Sequence, residues 1–462
     1  MTRSSFALAL LLPLAAALAQ TPSTPAPAVP PAPSELKTLV GKLDLQDGDT
    51  HVFLGDSITH QCLYTQYVED YFYTRFPRRR IRFHNAGVGG DRAADALTRF
   101  EEDVAVYKPK TVTVLLGMND GSYRDFDQAT FATYQRGMNA VLDKIAALGA
   151  TAVPMTPTLF DARAKRMRND LNEPRNTYYN GVLALYGAWL REQAEVRGLG
   201  FVDMWSPLTA ITLRERKTDP RFTMIRDGIH PEAVGQAVMA MAVIDDMVER
   251  SVVSEIVVSK TAEAFQAKAT GGAAPTVEKS GEGLSFIFTS EALPWVLPID
   301  AAKAIPLTNF VSRFSSEKLI VAQLAEGNYA LSIDGVQIGA FSAADLARGI
   351  ELGGNEKTPQ YQQAVQVTLL NKQRNDQFYH PLRDTYGQLK GKRRDLARIK
   401  SAPGADPAVL EAKQAEFDQW YAGQKSTVAE LLAGARKIED RIYELNQPKQ
   451  RKYELVPVPV RQ

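Results

Sequence analysis

The chain has 462 residues, with 54 Lys and Arg against 53 Asp and Glu, so it carries no global charge that would draw it to nucleic acid or an anionic membrane. Its one cysteine excludes an intramolecular disulfide, and the fold must stand on its core and its length. A basic nucleic-acid binder and a disulfide-stapled small domain are thereby excluded.

Met1-Thr-Arg3, the uncharged run Phe6 to Leu18 and the small-residue end Ala17-Leu18-Ala19 have the layout of an export signal over residues 1–19. The run is too short for a membrane span, which needs about 20 residues. No cysteine stands directly after the cleavage site, so no lipid anchor is supported. An exported protein, periplasmic or extracellular, with no stable membrane anchor is expected. Residues 20–44 form a linker whose stretch Gln20 to Ser34 is rich in Pro, Ala, Thr and Ser.

Over residues 45–252, apolar runs near 51–55, 81–86, 111–116, 151–156 and 199–203 read as strands. Helix-like stretches such as Thr130 to Leu148 and Tyr178 to Arg197 alternate with them. That alternation predicts an α/β domain, a parallel sheet with helices on both faces. The stretch from Glu232 to Glu249 closes it. Residues 253–354 change to short β-like runs: Ser254 to Ser259, Leu284 to Phe288 and Lys318 to Ala322. Asn328 to Ile333, Asp334-Gly335 and Val336 to Phe341 spell a hairpin with a type I′ turn. This reads as a small β-rich module, with 268–276 as a mobile loop. Residues 355–447 read as a long helical hairpin. Thr358-Pro359 and Asp406-Pro407 each supply an N-cap followed by proline, and Ser401 to Ala405 separates the two helices. Lys390, Lys392, Arg393 and Arg394 are expected on a solvated face. The tail 448–462 is expected as an edge strand or a loose end.

The chemistry is carried by segments at strand ends. His51 to Leu54 runs into Gly55-Asp56-Ser57-Ile58, which places Ser57 at a strand-to-helix turn. A helix start offers unpaired N–H groups beside which a serine can attack a carbonyl. Asp227-Gly228-Ile229-His230 sets a carboxylate and an imidazole within one turn, so the carboxylate can fix the ring tautomer. Ile81 to Ala86 leads into Gly87-Val88-Gly89-Gly90-Asp91, and Thr111 to Leu116 into Gly117-Met118-Asn119-Asp120. A glycine N–H and an asparagine amide can both donate to an oxyanion. Each segment alone reads as an ordinary turn. Together, and in this order, they resemble the SGNH hydrolases, also called the GDSL esterase/lipase family.

The resemblance covers roughly residues 48 to 250 and implies a three-layer α/β/α, flavodoxin-like domain. It further implies Ser57, Asp227 and His230 as the triad, with Ser57, Gly90 and Asn119 around the oxyanion. Gly90 is chosen over Gly87 and Gly89 because it directly precedes the Asp of its block. Asp56, Tyr123, Phe160, Phe222 and Met224, in loops after the strands, are candidate substrate contacts. No cofactor is implied.

Other nucleophile schemes fit less well. There is no Gly-x-Ser-x-Gly elbow, and Ser315-x-x-Lys318 lacks the partner motifs of β-lactamase-type enzymes. Cys62 reads as a small buried hydrophobe. No pattern of metal ligands is present. Of five histidines, only His230 has an acidic partner at triad spacing; His51, His60, His84 and His380 are expected in core or surface roles. The expected protein is an exported serine esterase acting on acetylated carbohydrate or another small acyl ester. A lysophospholipase or thioesterase, and a non-catalytic polymer binder on the same scaffold, are the alternatives.

Overall fold

Four buried runs pair in parallel: β1 (Thr50–Gly55), β2 (Arg82–Gly87), β3 (Thr111–Leu115) and β4 (Thr151–Pro154), in the order β2-β1-β3-β4. The structure, a computed structural model, describes residues 37–167, 178–249, 251–262, 264–404 and 406–459. The predicted export signal and residues 20–36 of the linker lie outside the described residues. The strands are buried along almost their whole length, as expected of a parallel sheet covered on both faces. The α/β fold class is as predicted. The fifth predicted strand, near 199–203, is reduced to one parallel bridge between Met155 and Val202. Gly198 in a left-handed conformation ends the helix before it, and a new helix begins at Trp205, so little extended chain lies between.

The predicted β-rich module is a sandwich of two sheets. One sheet is β12-β9-β5-β6, built from β5 (Ser254–Lys260), β6 (Phe265–Thr270), β9 (Glu317–Val321) and β12 (Ile350–Glu351). The other is β11-β10-β13-β8-β7, built from β7 (Val277–Ser280), β8 (Gly283–Phe288), β10 (Asn328–Ile333), β11 (Val336–Ser342) and β13 (Arg451–Pro457). Ile256, Val258, Leu319 and Val321 from the first sheet meet Phe286, Leu331, Ile333 and Leu455 from the second in a separate core. Asp334 and Gly335 both have positive φ, 51° and 78°, as a type I′ turn requires.

Three expectations are corrected here. The supposed mobile loop begins only at Gly271, because residues 265–270 pair with β5. Its alternation of Phe265, Ala267 and Ala269 toward the core is a weak signal in small residues. The C-terminal tail is neither edge nor loose: β13 lies between β10 and β8, with Tyr453 and Leu455 turned inward. Finally, part of the accessory stretch belongs to the hydrolase core. Trp295, Val296, Leu297, Phe310 and Phe314 pack there, with Trp295 edge-on to Tyr71 at 5.3 Å.

The helical hairpin forms as predicted. Its first arm runs Pro359–Arg374, then a π-turn Asn375–Tyr379, then His380–Lys400; its second arm is Pro407–Leu445. Thr358 and Asp406 cap the two starts, accepting from Tyr361 N and Ala408 N. The π-turn has a cause in sequence: Pro381 lacks an N–H and crowds the preceding turn, so the helix widens there.

The hairpin is not an appendage. The helix Leu63–Arg75, which follows the nucleophile turn, is buried from Tyr64 to Arg75 despite its mixed polarity. Its outer, polar face meets the hairpin. Asn371 donates to Asp70 at 2.9 Å, and Arg374 to Glu69 at 3.1 Å and to the Phe83 carbonyl at 3.0 Å. Arg383 holds Asp103 with both nitrogens, at 2.7 and 2.9 Å. The predicted solvated face is therefore corrected in two places: Lys390 pairs with Asp91 at 2.8 Å and Arg393 with Glu102 at 3.1 Å. Lys392 and Arg394 are exposed as expected, Lys392 lying over the Trp420 ring. No described helix is long and apolar enough to cross a membrane.

Candidate active site

Ser57 begins a one-turn helix, Ser57–His60, at the end of β1. Gly55 and Gly87 make room for that turn. A Cβ on Gly55 would stand 2.1 Å from Thr59 Oγ1, and one on Gly87 2.3 Å from the His60 nitrogen. Cys62, left-handed at φ 56°, separates this turn from the longer helix Leu63–Arg75. Its thiol is buried and pushed up by that burial.

Ser57 Oγ lies 2.8 Å from His230 Nε2, and His230 Nδ1 lies 2.6 Å from Asp227 Oδ2. The other carboxylate oxygen of Asp227 accepts from Ile229 N at 2.9 Å and His230 N at 2.8 Å. Burial alone would raise the Asp227 carboxyl. The bonds from the His230 ring and from the two backbone N–H groups outweigh it, so the group is held below the usual carboxylate range. With Asp227 ionised, His230 carries its hydrogen on Nδ1, and Nε2 is left to accept from Ser57. The side chains of His230 and Asp227 remain 33% and 38% exposed, so a ligand can reach the ring.

The loop carrying this pair is anchored by groups that motif reading did not find. Asp161 accepts from Arg216 and from Thr223, both at 2.6 Å, and its own N–H donates to the Gly228 carbonyl. Gln236 is fully buried in the closing helix. Its amide donates to the Pro231 carbonyl at 3.2 Å and to Gln61 at 2.7 Å, and its carbonyl accepts from Tyr64 N at 3.1 Å. One side chain thus ties the histidine loop to the nucleophile turn. A glutamine inside the apolar run Ala233–Met247 was the available signal.

Gly90 takes a φ of +70° and is exposed at the rim. Among the described residues, neither the Ser57 nor the Gly90 N–H donates to a protein backbone acceptor outside the regular elements. Asn119 is oriented from three sides. Its amide nitrogen donates to the Asp91 carbonyl at 3.0 Å and lies 3.4 Å from Asp56 Oδ2, and its oxygen accepts from the Tyr123 hydroxyl at 2.8 Å. Asp120, next in the chain, accepts from Ala93 N at 3.0 Å, which joins the second and third motif loops.

The predicted substrate contacts divide. Asp56 is corrected: it is buried and caps the nucleophile turn, accepting from Ile58 N at 2.9 Å. Burial, with Asp120 and Asp91 nearby, pushes its carboxyl up to about 7 against the Ile58 bond. Met224 is also corrected, being a core residue against Gly235. Phe160 is buried in an aromatic cluster with Tyr123, at 6.2 Å, and Tyr179, at 5.3 Å. Tyr123, on that cluster's open side, stays partly exposed, and Phe222 is half-buried on the turn before the histidine loop.

The other histidines lie apart from the Ser57–His230–Asp227 line of hydrogen bonds. His51 and His84 are buried, His84 at 3.0 Å from Asp103. His60 stands 3.3 Å from Asp384 of the hairpin. Among the described residues, no three His, Cys, Asp or Glu side chains gather as metal ligands would.

Comparison with known proteins gives three findings. Residues 53–238 match the GDSL-like Lipase/Acylhydrolase family. An acetylxylan esterase of Geobacillus stearothermophilus is 24% identical over an alignment of 223 residues that covers 43% of this chain and 94% of that one. The solved structure of a gut microbial diltiazem-metabolizing enzyme superposes with a TM-score of 0.76 at 27% identity, over 91% of this chain and 100% of that one. The last match spans the sandwich and the hairpin as well as the α/β domain.

Proposed function

Residues 53–238 form a domain of the GDSL-like lipase/acylhydrolase family, a serine ester hydrolase, and from this premise we propose an exported esterase that removes small acyl groups through an acyl-enzyme. Acetyl esters of carbohydrate are the first substrate class to consider. The observation that carries the reading is the hydrogen-bonded line Ser57–His230–Asp227.

In this reading Ser57 Oγ attacks the ester carbonyl carbon as His230 Nε2 takes the hydroxyl proton. Asp227 keeps the ring oriented and stabilises the imidazolium. The tetrahedral oxyanion lies against the N–H groups of Ser57 and Gly90 and the amide of Asn119. His230 returns the proton to the leaving alcohol, and water, activated by the same ring, then frees the acid. Tyr123 holds the Asn119 amide in orientation through its hydroxyl.

The acetylxylan esterase relative supports a short acyl group. The structure similar along nearly the whole chain belongs to an enzyme that metabolises diltiazem, a small molecule, so the added modules do not demand a polymer. A series of p-nitrophenyl esters from acetate to decanoate, run beside acetylated xylan and a lysophospholipid, tests this. The expected kcat/KM is highest for acetate and falls with chain length. A maximum at long chains or on the lysophospholipid would overturn the short-acyl reading.

A further inference from the structure

The hairpin delivers an ammonium group to the loop of Gly90. Lys390 Nζ lies 2.8 Å from Asp91 Oδ1 and 3.5 Å from Asp95 Oδ2, and donates to the Gly89 carbonyl at 3.3 Å. A Cβ placed on Gly90 would be 3.8 Å from this nitrogen. On its inner side, the buried Asp91 carboxylate accepts from Arg99 Nε at 2.8 Å. Arg99 also donates to Asp103 at 2.6 Å and to the carbonyl of Gly55, two residues before Ser57, at 3.2 Å. Arg383 of the hairpin closes the network on Asp103.

The loop so held governs two of the oxyanion donors. Gly90 supplies one N–H, and the Asp91 carbonyl is the acceptor that orients the Asn119 amide. Gly89 and Gly90 have little conformational preference of their own. Their geometry must be imposed from outside, by Arg99 beneath and by Lys390 above. We propose that Lys390 is a positioning residue of the ester hydrolysis, holding Gly89-Gly90-Asp91 so that the Gly90 N–H and the Asn119 amide face the oxyanion. The C-terminal hairpin is then part of the catalytic apparatus. This inference rests on the reading of Gly90 and Asn119 as oxyanion donors.

The test uses the full chain and p-nitrophenyl acetate. Lys390→Met keeps the aliphatic packing and removes the charge; its side chain is 23% exposed, so folding should persist. Lys390→Gln is carried beside it and judged by the same criteria if the Met variant does not fold. The expected result is a kcat reduced about tenfold, less than the roughly hundredfold cost of a 1 Å misplacement, with KM within about twofold of wild type. Lys390→Arg, which can reach both acceptors, should recover kcat to within about threefold. In an Asn119→Ala background, Lys390→Met should cost less than it does in wild type, because only its effect through the Gly90 N–H remains. Arg393→Met breaks a hairpin contact on the same helix that does not touch this loop, and should lower Tm without lowering kcat.

Wild-type kcat in Lys390→Met, with Asn119→Ala slowed, would overturn the proposal and leave the oxyanion reading standing. Full multiplication of the two effects, or an equal kcat loss in Arg393→Met, would also overturn it, showing a general structural role. Wild-type turnover in Asn119→Ala would remove the oxyanion reading and this proposal together.

Discussion

Two acid–base pairs in this chain show opposite designs. Asp227 and His230 are three residues apart, a third exposed, and their side chains are joined by one short hydrogen bond beside the nucleophile. Asp103 and Arg383 are 280 residues apart, fully buried, and joined by two. The first pair remains open to a ligand and can change protonation during a reaction. The second cannot: burial opposes ionisation of Asp103, but Arg383, His84 and Arg99 hold it ionised far below the usual range. Short sequence separation with exposure suits chemistry; long separation with burial suits architecture. The hairpin uses the second design in the buried part of its contact with the α/β domain, from Asn371 and Arg374 to Arg383.

The largest expected effect comes from breaking the buried pair. Arg383→Ala leaves Asp103 charged in the interior with part of its compensation gone, and should destabilise the protein by about 3–5 kcal/mol. Thermal melting and soluble yield check this. A Tm within a degree of wild type would mean that the hairpin is only loosely attached.

Asn119→Ala sits on the other side of the comparison. Loss of one oxyanion donor should lower kcat by about a hundredfold or more, roughly 3 kcal/mol of transition-state stabilisation, with KM little changed. Kinetics and melting on one preparation separate this from a turn role, which would lower Tm and spare turnover.

A third pair, this one of two carboxylates, sharpens the architectural side. Glu317 is buried beside Glu351 at the foot of the sandwich; burial first, then Glu351, pushes it up to about 8. In the unfolded chain it ionises near 4.5, so between these values the folded state holds the extra proton and wild-type stability falls as pH rises. Glu317→Gln removes that dependence. Its Tm advantage over wild type should grow from pH 5 to pH 8, as read by melting across that range. A constant difference would place the proton elsewhere.

The smallest effect is expected at Lys392. It is exposed over Trp420, and Lys392→Ala should shift stability by no more than about 0.5–1 kcal/mol, measurable as a small Tm change with unaltered turnover.

The same contrast explains what the sequence made legible. Gly55-Asp56-Ser57 and Asp227-x-x-His230 are local patterns whose chemistry lies in the residues themselves, and the apolar run His51 to Leu54 before the first marks its strand. The hairpin's arms were readable from Thr358-Pro359 and Asp406-Pro407, because caps are local too. What the arms touch was not. Nothing near Lys390 in sequence points to Asp91, and four neighbouring cations read most simply as a wet face. The tail read as an edge strand or a loose end because β13 finds its two partners, β8 and β10, more than a hundred residues back. Trp295 was assigned to the β module by position, yet packs on Tyr71 of the hydrolase core. Asp56 and Met224 fell in the right loops, but burial, which decides between a contact and a support, is set by the whole fold.

The central claim is that Ser57 is the nucleophile of a hydrogen-bonded triad. Fluorophosphonate labelling of the wild type and of Ser57→Ala, on preparations with matched melting curves, tests it most directly. The account predicts labelling of the wild type alone, with the variant's stability changed by no more than about 1 kcal/mol. Persistent labelling of a folded Ser57→Ala protein would show that another residue is the nucleophile and contradict the account.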